Sequence, residues 1–484
     1  MPEARRRRQV ALAGSASDRR RALPNHHEQA AARVLPALRA VLGGRVTDAA
    51  AARAAHAQQE SYHAPHPPDL VAFPRDTAEV AAIVRICAEA GTPIVPYGAG
   101  TSLEGNTSAL NGGVSIDFAQ MNAVLAVNAE DLDCRVQPGI TRKQLNAQLR
   151  GTGLFFPIDP GADASIGGMT STRASGTMAV RYGTMRDNVR ALEVVLADGR
   201  IIRTSTRAPK SAAGYDLTRL FVGAEGTLGV ITEITLKLHP VPEAISAAVS
   251  PFAALEGAVA TAIAVIQAGI PVARLELLDE VMIRGVNAHA GLGVPEQPTL
   301  FLEFHGTPTA VAEQAAAAQE IARDTGAAAF QWTSKPEERS RLWGARDNTL
   351  YAGLGLRPGS RAMITDVCVP VSRLAECLIE TKRDITQSGL IAPIVGHVGD
   401  GNFHTLILVD PQAPEEIARA EALHQRIVLR ALALDGTCTG EHGIGEGKIA
   451  FLERELGDAV ELMRMVKRAF DPKGIMNPGK IFRI

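Results

Sequence analysis

His397 and His404 lie in Gly396-His397-Val398-Gly399-Asp400-Gly401-Asn402-Phe403-His404, and a carboxylate and a third imidazole follow in Thr439-Gly440-Glu441-His442-Gly443. Glycine this dense disfavours a helix, and Ile391, Ile394 and Val395 ahead of it are apolar. The segment therefore predicts a strand, a tight loop and a second strand opening at Thr405-Leu406-Ile407-Leu408, a path that can bring both imidazoles to one point. His397, His404 and Glu441 make a common ligand set for Zn2+ that also suits other divalent metals, with positions left for water or substrate. His442 is then free to move protons beside the metal. The competing reading is of ordinary polar loop residues, with histidines fixing turns. There is no His-Glu-x-x-His and no Cys-x-x-Cys, which excludes the standard metalloprotease and zinc-finger patterns.

Several elements must position such groups. The Ala/Leu/Arg-rich stretch 27–42 predicts a helix stopped by Gly43-Gly44. Asp76-Thr77-Ala78-Glu79 predicts a capping box, with Val80, Ile83, Val84 and Cys87 on one helical face and Gly91 past the end. Pro93-Ile94-Val95-Pro96 then runs as a strand into Tyr97-Gly98-Ala99-Gly100-Thr101-Ser102-Leu103-Glu104-Gly105. This loop is neither a Rossmann fingerprint, since no helix pattern follows, nor a Walker A loop, since no Gly-Lys-Ser/Thr ends it. Its amides can still form a nest for a pyrophosphate, and a plain surface loop is the alternative.

A second small-residue tract runs from Pro157 through Asp159-Pro160-Gly161-Ala162-Asp163-Ala164-Ser165 and Ser175-Gly176-Thr177 to Arg181-Tyr182-Gly183-Thr184, after a short capped helix over 141–149. So much unperiodic sequence inside a domain suits close backbone contact with an extended dinucleotide. A hairpin joins strands 192–196 and 201–204 at Asp198-Gly199. Gly223-Ala224-Glu225-Gly226-Thr227-Leu228-Gly229-Val230-Ile231 leads into an alternating strand, and His239-Pro240 closes a first domain. Residues 241–391 predict a separate α+β cap.

The chain has 484 residues, 46% hydrophobic and 21% charged, with a formal net charge of −2, which allows two or three globular domains and argues against nucleic-acid binding. Cys87, Cys134, Cys368, Cys377 and Cys438 show no paired close spacing, which argues against a disulfide framework or an iron–sulfur site and for a reducing compartment. No apolar run reaches the ~18 residues of a membrane span; the stretch 257–266 predicts a packed helix. Arg5 to Arg8 and Arg19 to Arg21 resemble an organellar transit peptide, with a disordered tail, the preferred reading, or an early start as alternatives.

Taken together, Asp159-Pro160-Gly161-Ala162-Asp163-Ala164-Ser165, Arg181-Tyr182-Gly183-Thr184-Met185-Arg186-Asp187-Asn188, Thr365-Asp366-Val367-Cys368-Val369-Pro370 and the two histidine loops resemble the FAD-linked oxidoreductases of the vanillyl-alcohol oxidase type with a type 4 C-terminal domain. That branch includes D-lactate dehydrogenase (cytochrome), D-2-hydroxyglutarate dehydrogenase and the FAD subunit of glycolate oxidase. The motifs most resemble its D-lactate members, over residues 67–480. The resemblance implies an α+β protein: a PCMH-type FAD-binding domain of two α+β subdomains over 66–241 and an α+β cap, the FAD-linked oxidase C-terminal domain, over 242–484. Residues 1–35 would be a disordered Arg/Ala-rich extension.

The resemblance places FAD contacts on Tyr97, Gly98, Ala99, Gly100, Thr101, Ser102, Leu103, Pro160, Gly161, Ala162, Asp163, Ala164, Gly167, Gly168, Ser175, Gly176, Thr177, Glu225, Gly229, Ile231 and Asn477. Some relatives hold FAD covalently through a histidine in the first loop; none stands there in this chain, so non-covalent FAD is expected. The family pattern puts a divalent metal, Zn2+ ahead of Mn2+, on His397, His404 and Glu441, a base on His442, and a substrate-carboxylate arginine at Arg346. Arginine's fork suits that task, and a surface salt bridge is the competing reading. Ile364-Thr365 and Leu406 stand where the hydroxyglutarate enzymes carry a lysine and an asparagine, which weakens a dicarboxylate substrate. Arg173 stands at a usually small position, which bears on the neighbouring flavin contacts.

The implied activity is metal-assisted oxidation of a D-2-hydroxy acid, D-lactate foremost, with hydride transfer to flavin N5. Electrons pass to an external acceptor: cytochrome c, a quinone or an electron-transfer flavoprotein. The alternatives are a glycolate oxidase FAD subunit, a D-2-hydroxyglutarate dehydrogenase, or an inactive flavin- and metal-binding protein. A homodimer is left open. A cytoplasmic location, at the inner membrane face or free, is expected, or a mitochondrial one if the arginine-rich start is a transit peptide.

Overall fold

The computed structural model describes residues 26–58 and 60–484. Leu70–Ala72, Val114–Asp117 and Ile94–Tyr97 lie parallel in a four-stranded sheet whose edge, Val46–Thr47, is antiparallel. The helix Thr77–Ala90 makes the crossover from Leu70–Ala72 to Ile94–Tyr97, the parallel strands on either side of Val114–Asp117, and buries Val80, Ile83, Val84 and Cys87. Asp76 caps this helix by accepting from the Glu79 N–H at 2.8 Å. The predicted box closes on that side only. The Glu79 carboxylate accepts instead from the Arg75 N–H, one residue before the cap, at 2.8 Å and from Arg45 at 2.6 Å, whose guanidinium fork draws it away from the Asp76 N–H. The Arg-rich extension expected over 1–35 lies outside the described residues up to residue 25; its remainder opens the helix His26–Leu42, which packs on the same core.

The second sheet is antiparallel, in the order Val124–Asn128, Asp133–Val136, Val230–Lys237, Val189–Val195, Ile201–Arg203. The helix Arg142–Gln148 starts with a complete capping box between Thr141 and Gln144. The cap sheet runs Gln331–Thr333, Ala244–Pro251, Thr299–Gly306, Val272–Leu278, Ile394–His397, Asn402–Val409, Arg361–Ile364, with Val367–Cys368 also on Asn402–Val409. Leu255–Gln267, Pro308–Asp324, Leu374–Ser388 and Pro414–Ala433 contribute to one apolar cluster, and Glu280–Ala290, Pro336–Asp347 and Thr349–Gly355 to another.

The C-terminus then returns to the first sheet. Ile94 N–H donates to Ile475 O and Asn477 N–H to Ile94 O, both at 2.8 Å, so the tail adds to the strand that feeds the first glycine loop. Among the described residues, no helix is long and apolar enough to cross a membrane.

Candidate active site

A groove of about 590 Å3 runs between the two smaller sheets and the cap. The first glycine loop meets it because it leaves the carboxyl end of Ile94–Tyr97, where parallel strands deliver their loops. A Cβ at position 98 would lie 2.1 Å from Ser165 Oγ, so only glycine lets this loop touch the second tract. Every residue expected to hold the dinucleotide lines the groove except Ser175 and Gly176. Ser175 Oγ instead donates to Glu441 Oε2 at 2.5 Å, and Gly176 packs on the backbone of Asp159. Glu225 reaches the groove wall, but its carboxylate is taken by Asn106 Nδ2 and by the Ile444 and Gly445 amides at 2.7–2.9 Å. Arg173 does not line the groove: its guanidinium donates to Val222 O.

Ser102 Oγ, Thr107 Oγ1 and Asn477 Oδ1 line this groove, are buried, and have no partner in the protein. Buried polar atoms are normally hydrogen-bonded, so the wall fits an extended polar ligand such as a dinucleotide. Arg274 ties the groove's two sides together. It stacks over Trp343 at 4.4 Å, three residues before Arg346 on one helix, and donates to Asp159 Oδ2 at 3.0 Å, just before Pro160.

The histidine pair stands on strands. The second strand opens at Asn402, earlier than Thr405, because the turn Val398 to Gly401 suffices once Gly401 adopts φ of 78°. His397 pairs with Asn402 and Val395 with His404, and residues opposite one another or two apart share a face. Both imidazoles therefore project from one face of the cap sheet. His397 Nε2 and His404 Nε2 lie 3.1 and 3.2 Å from the same oxygen, Glu441 Oε1.

Acceptors grip the far side of each ring: Glu276 Oε1 at 2.8 Å from His397 Nδ1, and Thr365 O at 3.0 Å from His404 Nδ1. A carbonyl only accepts, so His404 carries its hydrogen on Nδ1, and unless protonated it presents the Nε2 lone pair to an acceptor-only carboxylate. The two ring nitrogens and the Glu441 oxygen converge as a donor set that could hold a divalent cation. Burial alone would lower the His397 pKa, but Glu276 and Glu441 outweigh it and hold the imidazole well above its ordinary 6.5.

Pattern reading missed two carboxylates behind these groups. Glu276 is fully buried, and accepts from Arg346 Nε at 2.8 Å and Nη2 at 2.5 Å as well as facing His397. A carboxylate inside Leu275-Glu276-Leu277 was the available signal, since a charge in an apolar strand needs a partner. Asp366 Oδ2 accepts from Thr439 Oγ1, Glu441 N–H and His442 N–H at 2.7–3.0 Å, and Oδ1 from Asn402 Nδ2 at 2.9 Å. It thereby locks the loop that carries Glu441 and His442. His442 stacks on His404 at 4.8 Å, and both line the groove with Arg346.

The chain matches the family described as FAD binding domain over residues 68–205 and FAD linked oxidases, C-terminal domain, over residues 241–481. It is 51% identical to "Probable D-lactate dehydrogenase, mitochondrial" of Danio rerio, covering 93% of this chain and 92% of that one. It is 50% identical to the mitochondrial D-lactate dehydrogenase [cytochrome] of Arabidopsis thaliana (87% and 75% covered) and 38% identical to glycolate oxidase subunit GlcD of Bacillus subtilis (86% and 89%). Among solved structures, p-cresol methylhydroxylase with bound substrate superposes with a TM-score of 0.78 at 18% identity, over 94% of this chain and 97% of that one, a likeness of fold.

Proposed function

The chain belongs to the FAD-linked oxidoreductases of the vanillyl-alcohol oxidase type, among the D-lactate dehydrogenases, and on that premise we propose that it oxidises a short D-2-hydroxy acid, D-lactate foremost, to the 2-oxo acid. The observation that carries this reading is the convergence of His397 Nε2, His404 Nε2 and Glu441 Oε1 in a groove that Arg346 and His442 also line. FAD supplies the hydride acceptor when bound, and a divalent cation on His397, His404 and Glu441 supplies Lewis acidity toward the substrate oxygens.

The protein's own groups do the rest. Arg346 spends Nε and Nη2 on Glu276, which leaves Nη1 for the substrate carboxylate and fixes the angle at which it is offered. His442 takes the hydroxyl proton as C2 gives up its hydride and the C–O bond becomes a carbonyl. Burial lowers the His442 pKa, which keeps a lone pair available at neutral pH even though Asp366 pulls the other way. The electrons then pass to an external acceptor, cytochrome c ahead of a quinone or an electron-transfer flavoprotein. A mitochondrial setting is favoured by the names of the relatives from Danio rerio and Arabidopsis thaliana.

Val395, Ile364 and Leu406 line the groove beside the histidines, with Ile364 directly opposite Leu406 and Leu406 two residues beyond His404 on the same face. A second substrate carboxylate would be buried there without a partner, at a cost of roughly 1–3 kcal/mol or more. D-lactate is therefore expected to exceed D-2-hydroxyglutarate in kcat/KM by at least about tenfold. A glycolate oxidase subunit is the second reading, supported by the Bacillus subtilis relative and served by the same chemistry.

Anaerobic flavin bleaching by D-lactate, L-lactate, glycolate and D-2-hydroxyglutarate, each with and without a chelator, separates these readings. Bleaching by D-lactate that the chelator abolishes is the expected result; bleaching by glycolate alone selects the second reading; a protein indifferent to all four sinks both. Metal uptake also has a pH signature. A cation at His397 Nε2 must displace the proton that faces Glu441 there and that the charges of Glu441 and Glu276 favour, so apparent affinity rises with pH and binding releases protons. Adding Zn2+ to metal-free protein in weakly buffered indicator should acidify it, and an unchanged colour removes His397 as a ligand.

A further inference from the structure

Behind His442, on the side away from Glu441, lies a buried polar chamber that the reaction as derived does not use. His442 Nδ1 and His63 Nε2 are buried there without a hydrogen-bond partner, beside the buried ammonium of Lys448. All three face one carboxylate. Lys448 Nζ pairs with Glu104 Oε1 at 2.8 Å and stands 3.6 Å from Asp366 Oδ2, while His442 Nδ1 and His63 Nε2 stand 4.0 Å from the two Glu104 oxygens. Asp366 Oδ2 is slightly nearer to His442 Nδ1, at 3.8 Å, but it already accepts three hydrogen bonds, which leaves Glu104 as the carboxylate with capacity to spare.

Gaps of 4.0 Å are too long for a direct bond and within the span of one bridging water. Buried polar atoms that lack protein partners are where internal water resides. Gly447 leaves Glu104 free to hold this position, since a Cβ there would lie 2.8 Å from both Glu104 Oε2 and His63 Nε2.

We propose that water bound in this chamber links His442 Nδ1 to Glu104, and that Glu104 acts through it as a positioning residue. An acceptor on that side keeps the hydrogen on Nδ1, so the lone pair of the neutral ring falls on Nε2, the nitrogen on the Glu441 side at 3.8 Å. The arrangement parallels the buried carboxylate that sets a catalytic histidine's tautomer in hydrolases, with a water inserted. It rests on His442 being the base.

Two variants of the FAD- and metal-loaded enzyme test it. Glu104→Gln removes the charge but not the shape, and Gly447→Ala presses a methyl against Glu104 Oε2 and His63 Nε2, moving the carboxylate off its place while leaving it charged. Both are expected to slow flavin reduction by about 10- to 100-fold, with KM, FAD content and metal content unchanged. Nitrogen-15 NMR of the labelled His442 ring should show the Nδ1–H tautomer in the parent and a mixture in both variants. Parental rate and tautomer in both variants overturn the proposal. So does a Glu104→Gln protein that loses FAD or metal, because that is a purely structural role. A His442→Ala enzyme that still reduces flavin at the parental rate removes the base reading itself; an inert His442→Ala beside unaffected chamber variants removes only the water.

Discussion

Replacing His442 with Ala is expected to slow anaerobic flavin reduction by D-lactate by about 10²–10⁴-fold, the range for loss of a general base, while the protein keeps its FAD. Two features separate the proton step from the scaffold. The loop holds to Asp366 through the backbone N–H groups of Glu441 and His442 and through Thr439 Oγ1, none of which the substitution removes. The ring itself contributes its stack on His404, and its Nδ1 has no direct protein partner. The measurement is stopped-flow bleaching with FAD content read from the same sample. A rate within about threefold of the parent, set against that expected range, would reassign the base.

Glu276→Ala is expected to damage both stability and metal binding. Its fully buried carboxylate faces Arg346 and His397 together, so the substitution leaves a buried guanidinium without its counter-charge and an imidazole without its orienting acceptor. Breaking one partner of a buried pair costs about 3–5 kcal/mol, and loss of a carboxylate behind a metal-ligating histidine costs about 10- to 100-fold in metal affinity. Glu276→Gln keeps an acceptor at His397 and should recover part of the metal affinity but little of the Arg346 pairing. Urea unfolding and a competitive chelator titration read the two effects. Parental metal affinity in the alanine variant would show that His397 does not need Glu276, and would weaken its place among the ligands.

Much of the groove wall was legible in the chain because it is local. A loop that must approach a ligand with its backbone needs glycine where a Cβ would collide, and Gly98 against Ser165 is such a place. The histidine pair was legible for a related reason. Residues flanking a tight turn between antiparallel strands necessarily come together, and alternation places them on one face. Helix caps were nearly as readable, and the one that half-failed did so because Arg45, far away in sequence, claimed the Glu79 carboxylate.

Glycine spacing and the His, His and Glu residues were thus enough to single out the loops that line the groove, while the α+β class and the dinucleotide came from the family resemblance of those same motifs. What only the tertiary structure decided is how those donors are held. Glu276 and His397 are 121 positions apart, and they meet because Val272–Leu278 pairs with Ile394–His397 in the register Leu277 to Gly396. Asp366 reaches the Glu441 amide across 75 positions, and Glu104 comes from the first glycine loop to the back of His442. Strand order and register are set by the packing of whole sheets on their helices, a sum over many weak contacts that no local pattern encodes. The chemistry was therefore written in residue types, and its orientation in the register of two strands.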